Sequence, residues 1–284
     1  MTLITAPELL ARIDDPRLRI CDVRWWLIEP ARGRRDYEAA HIPGARWVDL
    51  DRILTAPEGP GRHPLPHPAE FAAEAAALGI TDGTDVVVYD DAGGTIAARL
   101  WWMLDDLGHR SVRVLDGGIA AWTAAGGPVT DVEPTPAPAS GDRLHLNGTW
   151  TRVTDREDVA ARLGTVALID ARARERYRGD LEPVDAVPGH IPTARSLPTG
   201  GNLDAGGRFL APAELQARFA GLGPDVISYC GSGVTACHNA LALRIAGLPA
   251  PTLYEGSYSD WARNAMPIAT GDEPGDPPPG TPGS

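Results

Sequence analysis

Twice along this chain the same succession of short motifs occurs, and that repetition restricts the fold more than any other feature. Asp22-Val23-Arg24 returns as Asp170-Ala171-Arg172, and His41-Ile42-Pro43-Gly44-Ala45 returns as His190-Ile191-Pro192-Thr193-Ala194. Val226–Thr235 aligns without a gap on Val86–Thr95, and Tyr254-Glu255-Gly256-Ser257 through Trp261 follows the pattern of Leu115–Trp122. The offset runs from 139 (Leu115 to Tyr254) to 149 (His41 to His190), as expected of a duplicated domain with unequal loops. A period this long denotes two copies of one domain rather than a solenoid. A chain of 284 residues has room for both.

Each copy reads as strands alternating with helices. In the first, a short helix Pro7–Ile13 precedes a strand Leu18–Val23, and a loop carries Arg34, Arg35 and Tyr37. The Pro-rich loop Pro57–Pro68 leads to a helix Ala69–Leu78. Then come a strand Asp85–Tyr89, a helix over about 95–107, and a strand Val112–Leu115. Alternation of this kind predicts an α/β fold, with a parallel sheet flanked by helices in each domain. The expected limits are residues 1–130 for the first domain and 151–270 for the second. The linker 131–150 opens on the stiff Pro-alternating run Asp131–Pro138, and the Pro/Gly-rich tail 271–284 is expected to be disordered.

Chemistry concentrates in one stretch of the second copy. The apolar run Val226–Tyr229 ends at Cys230, passes Gly231, Ser232 and Gly233, and opens through Val234 and Thr235 into the helical pattern 236–246. Open α/β sheets place their sites where strands stop before such turns. Two glycines let the backbone curl, so that successive N–H groups and the helix N-terminus surround the sulfur. An ordinary thiol titrates near ~8.5; lowering that by about two units makes the thiolate dominant. Cys230 is therefore the candidate nucleophile, the alternative being a small buried residue at a strand end. In the first copy the aligned residue is Asp90, which cannot accept a sulfur atom, so a single working site in two folds is expected. Cys237, two helical turns beyond Cys230, is expected to be packed and unreactive.

Composition excludes several classes. A net charge of −12 argues against nucleic acid. All 26 basic residues are arginine, which removes Schiff-base and P-loop lysines and leaves anions to arginine or backbone N–H groups. The three cysteines form neither a disulfide framework nor a zinc pattern, and His63 and His67 lie among prolines, so no metal or other cofactor is expected. No apolar stretch reads as a signal peptide or membrane span, and the default setting is cytoplasmic. A cysteine phosphatase would need an arginine where Ala236 stands, and a serine hydrolase needs a Gly-x-Ser-x-Gly elbow that the chain lacks.

On these residues the chain resembles the tandem-domain rhodanese family of sulfurtransferases. The resemblance covers roughly residues 1–270. It rests on both His-Ile-Pro motifs, Asp170-Ala171-Arg172 with Arg176-Tyr177, Asp116-Gly117-Gly118 with Trp122, and most specifically Cys230–Thr235. That loop is similar to the 3-mercaptopyruvate sulfurtransferase branch; the thiosulfate branch carries a basic pair where this chain has Gly231 and Ser232.

The resemblance implies a Cys230 persulfide, loaded by 3-mercaptopyruvate or another sulfane donor and emptied onto a thiol, cyanide or thioredoxin. It also implies Arg176 as a donor-binding residue and an inactive first domain. Gly231, Gly233, Val234 and Thr235 complete the donor cradle, and Ser232 assists proton transfer or holds the turn. His41 matches a histidine proposed to work with that serine, although hydrogen bonding across the Ile-Pro turn is the expectation for both His41 and His190. Arg172 is expected to pair with carboxylates near the domain core. The branch has a second arginine where Val184 stands here. The alternatives are a thiosulfate sulfurtransferase and a persulfide carrier that loads once without turnover.

Overall fold

The computed structural model describes residues 2–135 and 143–279. Residues 136–142 of the expected linker and 280–284 of the expected tail lie outside the described residues. The chain divides into two compact units. One comprises residues up to Ala56, Pro66–Thr151 and Ala205–Phe209; the other comprises Pro57–Leu65, Arg152–Asp204 and the residues from Leu210 onward.

In the first unit, strands β1 (Leu3–Ile4), β2 (Leu18–Asp22), β3 (Arg46–Trp47), β4 (Asp85–Tyr89) and β5 (Val112–Leu115) form a sheet of order β1-β5-β4-β2-β3. Every pairing is parallel. The second unit repeats this with β6 (Val153–Thr154), β7 (Ala167–Asp170), β8 (Arg195–Ser196), β9 (Val226–Tyr229) and β10 (Thr252–Tyr254), in the order β6-β10-β9-β7-β8. Its pairings are parallel as well. Such strands are covered on both faces, so they carry continuous apolar runs, of which Val86-Val87-Val88 is the clearest. The strands β4 and β9 are central in their sheets, and Asp90 and Cys230 directly follow their carboxyl ends.

The repeated motifs make the same frame in both units. Arg24 grips Asp22 and Arg172 grips Asp170 through paired hydrogen bonds, all four groups buried. The Tyr37 hydroxyl donates to Ala45 O at 2.9 Å, and that of Tyr177 donates to Ala194 O at 2.7 Å. His41 stacks on Tyr37 with ring centroids 4.1 Å apart, and His190 on Tyr177 at 3.7 Å. Each histidine has both ring nitrogens near backbone carbonyls: Tyr37 O and Val132 O for His41, Tyr177 O and Glu273 O for His190. Burial holds the His190 imidazole below its ordinary pKa, against the upward pull of those carbonyls.

The structure departs from the sequence reading in two places. Residues 30–39, read as loop, form the helix Pro30–Ala39. Gly33 and Tyr37 are its buried residues, so it lacks an apolar stripe; the ion pairs Arg32–Asp36 and Arg34–Glu38 at i,i+4 support it instead. The described part of the tail, 271–279, is also not loose. Asp272 pairs with Arg174 and Arg178, and Pro274 O accepts from Thr193 N at 2.6 Å. Composition alone does not register such arginine partners.

Candidate active site

The site is built in the second unit on the turn after β9. Cys230 is 2% exposed, and its sulfur accepts a hydrogen bond from Ser232 N at 3.5 Å. The turn is fixed from outside by the start of the helix Ser257–Arg263. Cys230 N donates to Ser257 Oγ at 3.2 Å, Tyr258 N to Cys230 O at 3.0 Å, and Ser259 N to Gly231 O at 3.0 Å. Gly233 has φ +81°, a left-handed turn that a side chain would strain. Val234 is buried, and Thr235 is the N-cap of the helix Ala236–Ile245, which carries no side-chain capping bond. The fully buried Cys237 thiol donates to Gly233 O at 3.4 Å.

The ring of N–H groups that the sequence leads one to expect is seen most completely in the first unit. There Asp90 Oδ1 accepts from Ala92 N and Gly94 N, each at 2.8 Å, and Oδ2 from Ile96 N and Ala97 N at 2.8 and 2.9 Å. By the internal alignment these correspond to the N–H groups of Ser232, Val234, Ala236 and Cys237. The same turn, with a carboxylate in place of a thiol, is thus an anion cradle.

Residues 57–65 belong to the second unit and bring in side chains that the sequence reading passed over. Arg62 N donates to Ser259 Oγ at 3.1 Å, and Leu65 N to Glu255 Oε2 at 3.0 Å. These bonds pin the loop so that His63 Nδ1 lies 2.6 Å from Ser232 Oγ, both groups buried. His63 thereby stands where His41 was matched by resemblance. His41 is engaged by Tyr37 and Val132 in the first unit, and its motif is a structural one. No local pattern marks His63, since it lies in a proline-rich stretch 169 positions from Ser232.

A second cationic side chain arrives with the first. A Cβ added to Gly231 would stand 2.9 Å from Arg62 Nη2 and 3.4 Å from Arg176 Nη1. Arg176 pairs with Glu182 at 2.7 Å and Asp185 at 3.1 Å, and Arg62 pairs with Asp185. Val184, where a further arginine was expected, contributes its N–H to Glu182 Oε1 at 3.0 Å. Burial pushes the Glu182 carboxyl up, but hydrogen bonds from Arg176 and from the Asp185 and Val184 N–H groups outweigh it and hold the pKa below its ordinary value.

Arg172 is a brace, as expected. It donates to Asp170 and to Gly189 O at 2.6 Å, pairs with Glu182 at 3.3 Å, and lies 3.8 Å over the Tyr258 ring. Burial lowers its pKa, yet the Asp170 carboxylate outweighs that and moves the guanidinium well above its ordinary value.

Comparisons with known proteins agree with this architecture. The family model described as the rhodanese-like domain matches residues 5–125 and 155–264. A Pseudomonas aeruginosa protein named "Probable 3-mercaptopyruvate sulfurtransferase" is 46% identical over 282 residues, covering 95% of this chain and 98% of that protein. The thiosulfate sulfurtransferase of Rattus norvegicus is 36% identical over 261 residues, covering 89% of this chain and 87% of that protein. Among solved structures, the 3-mercaptopyruvate sulfurtransferase from Leishmania major superposes with a TM-score of 0.82 at 30% identity. It covers 93% of this chain and 74% of that one.

Proposed function

The chain belongs to the rhodanese-like domain family, and on that premise we propose that Cys230 carries sulfur from 3-mercaptopyruvate to a thiol or cyanide acceptor. The protein is a sulfurtransferase. The observation that carries the residue-level reading is the Ser232–His63 pair at 2.6 Å, on the turn whose Ser232 N–H donates to the Cys230 sulfur.

The Cys230 thiolate attacks the thiol sulfur of the donor, and the carbon–sulfur bond breaks with its electron pair left on the methylene carbon. The Ser232–His63 pair takes the thiol proton and returns it to that carbon, which releases pyruvate and leaves the persulfide anion on Cys230. The outer sulfur then goes to cyanide as thiocyanate, or to a thiol as its hydropersulfide, and the Cys230 thiolate is regenerated. Thioredoxin is one thiol partner this route would accept.

Asp90 supports the persulfide half of the cycle. A persulfide's outer sulfur is as many bonds from its Cα as a carboxylate oxygen of aspartate is. The four N–H groups that hold the Asp90 carboxylate therefore have counterparts suited to a charged Cys230 persulfide. Gly231, Gly233, Val234 and Thr235 shape that cradle, and Arg176 holds the donor carboxylate.

Steady-state formation of thiocyanate from 3-mercaptopyruvate and cyanide tests the reading. Cys230→Ser should abolish it with the fold intact, and mass spectrometry of the donor-treated chain should place one added sulfur on Cys230 and none on Cys237. A single loading without turnover would favour the carrier alternative, and sulfur found on Cys237 would remove Cys230 from its role.

A further inference from the structure

The two arginines above Gly231 carry an inference that rests on the sulfur-transfer reading and sharpens its donor. The sequence offers one donor-binding arginine, Arg176, and a valine at the position of the second. The fold brings another guanidinium from residues 57–65: Arg62 Nη2 would be 2.9 Å from a Cβ at Gly231, with Arg176 Nη1 and Nη2 at 3.4 and 3.7 Å.

One carboxylate spans the pair. Asp185 Oδ1 engages Arg62 Nη1, and Asp185 Oδ2 lies 3.1 Å from Arg176 Nη2. Glu182 accepts from Arg176 Nε and Nη2 at 3.1 and 2.7 Å. These bonds use Arg62 Nη1 and the Nε/Nη2 edge of Arg176. The atoms nearest Gly231 on the two forks, Arg62 Nη2 and Arg176 Nη1, are not the ones these bonds use. Arg62 Nε is shielded from solvent and has no hydrogen-bond partner among the described residues.

The charges matter as much as the geometry. Arg62 and Arg176 are balanced by Glu182 and Asp185, and behind them Arg172 is balanced by Asp170. The cluster offers directed N–H donors with no surplus positive charge. A monoanionic carboxylate is matched by two fixed forks, whereas a dianion gives up more hydration and gains no net Coulombic attraction in return.

We propose that Arg62 is the second donor-anchoring residue, sharing the carboxylate of a 2-oxo acid thiol with Arg176 above Gly231. Asp185 is the positioning residue that holds the two guanidinium groups together and, by cancelling their charge, disfavours thiosulfate. Both residues act on donor choice rather than on the sulfur-transfer step.

The test compares kcat and KM for 3-mercaptopyruvate and for thiosulfate, with cyanide as acceptor, in the full chain and its variants. Arg62→Ala should raise KM for 3-mercaptopyruvate on the order of tenfold while kcat changes little, and Arg62→Lys should recover part of the loss. Asp185→Asn should raise the thiosulfate to 3-mercaptopyruvate ratio of kcat/KM by about tenfold, and Asp185→Glu should keep the original ratio. Calorimetric titration of each variant with pyruvate reads the anchor without turnover, and Arg62→Ala should weaken that binding. Should Arg62→Ala lower kcat with both donors at unchanged KM, or Asp185→Asn leave the ratio in place, the proposal is wrong though the enzyme is still a sulfurtransferase. Failure of the unmodified chain to transfer sulfur from either donor would overturn the underlying reading and this proposal with it.

Discussion

His63 Nδ1 and Ser232 Oγ lie 2.6 Å apart, although 169 positions separate them in the sequence. Both are buried beside a sulfur that accepts the Ser232 N–H, so a proton leaving the donor thiol has a short route to the imidazole. His63→Ala should lower kcat with 3-mercaptopyruvate by about 10²–10³-fold and leave KM within a few-fold. Thiosulfate transfers its outer sulfur and releases sulfite without moving a proton, so its kcat should fall much less. Ser232→Ala should act in the same direction, and the double variant should be scarcely worse than either single one. Equal losses with the two donors in steady-state assays would count against a proton-transfer role for the pair.

Asp90 offers a separation of stability from activity. Its carboxylate accepts four backbone N–H groups in the first unit, and Asp90→Ala would leave those buried donors to water or to nothing. A cost of about 3 kcal/mol or more is expected. For a unit of this size that corresponds to a fall of roughly 6–12 °C in its thermal midpoint. Below that temperature kcat should be unchanged, because the first unit carries no sulfur. Calorimetry alongside the thiocyanate assay separates the two outcomes; a lost activity at unchanged stability would mean that the Asp90 turn takes part in transfer.

The sequence disclosed what repeats and what is local. The duplication, the central strands β4 and β9, and the Cys230 turn follow from apolar runs, glycine placement and the gapless match of Val86–Thr95 to Val226–Thr235. Arg176 and Arg172 could be singled out because they sit beside an aligned Asp-x-Arg motif. Arg62 and His63 could not, because a proline-rich stretch has no period from which to read a facing. Their contribution depends on hydrogen bonds to Ser259, Glu255 and Ser232, all distant in sequence. The helix Pro30–Ala39 escaped for a related reason: ion pairs, not an apolar stripe, sustain it.

Acid sensitivity should trace partly to Glu182. Its carboxyl titrates below the ordinary value near 4.5 when folded, so the folded state binds that proton more weakly than the unfolded chain does. The resulting stability is present above the unfolded value and is lost as pH falls through the folded one. Glu182→Gln should therefore be less stable than the original chain at neutral pH, with the gap in thermal midpoint closing as pH drops below about 4.5. A gap that stays constant down to pH values near 3 would show that the carboxylate's charge contributes nothing to the fold.

Gly231 connects the turn to the choice of donor. Its φ lies outside the left-handed region, so a side chain there meets an obstacle of space rather than of backbone strain. The nearest atom to an added Cβ is Arg62 Nη2 at 2.9 Å, the far end of a flexible side chain. Gly231→Ala should thus cost little stability, within about 1 kcal/mol, while displacing Arg62 and raising KM for 3-mercaptopyruvate several-fold. Gly231→Arg, which restores half of the basic pair of the thiosulfate branch, puts a third cation against Arg62 and Arg176. In the original background it should lower kcat/KM for both donors. Combined with Arg62→Ala, the new guanidinium gains the vacated space, and kcat/KM for thiosulfate should exceed that of either single variant. Steady-state kinetics on the four proteins give the coupling directly. Independent, additive effects of the two substitutions would mean that Arg62 does not stand over the turn in solution.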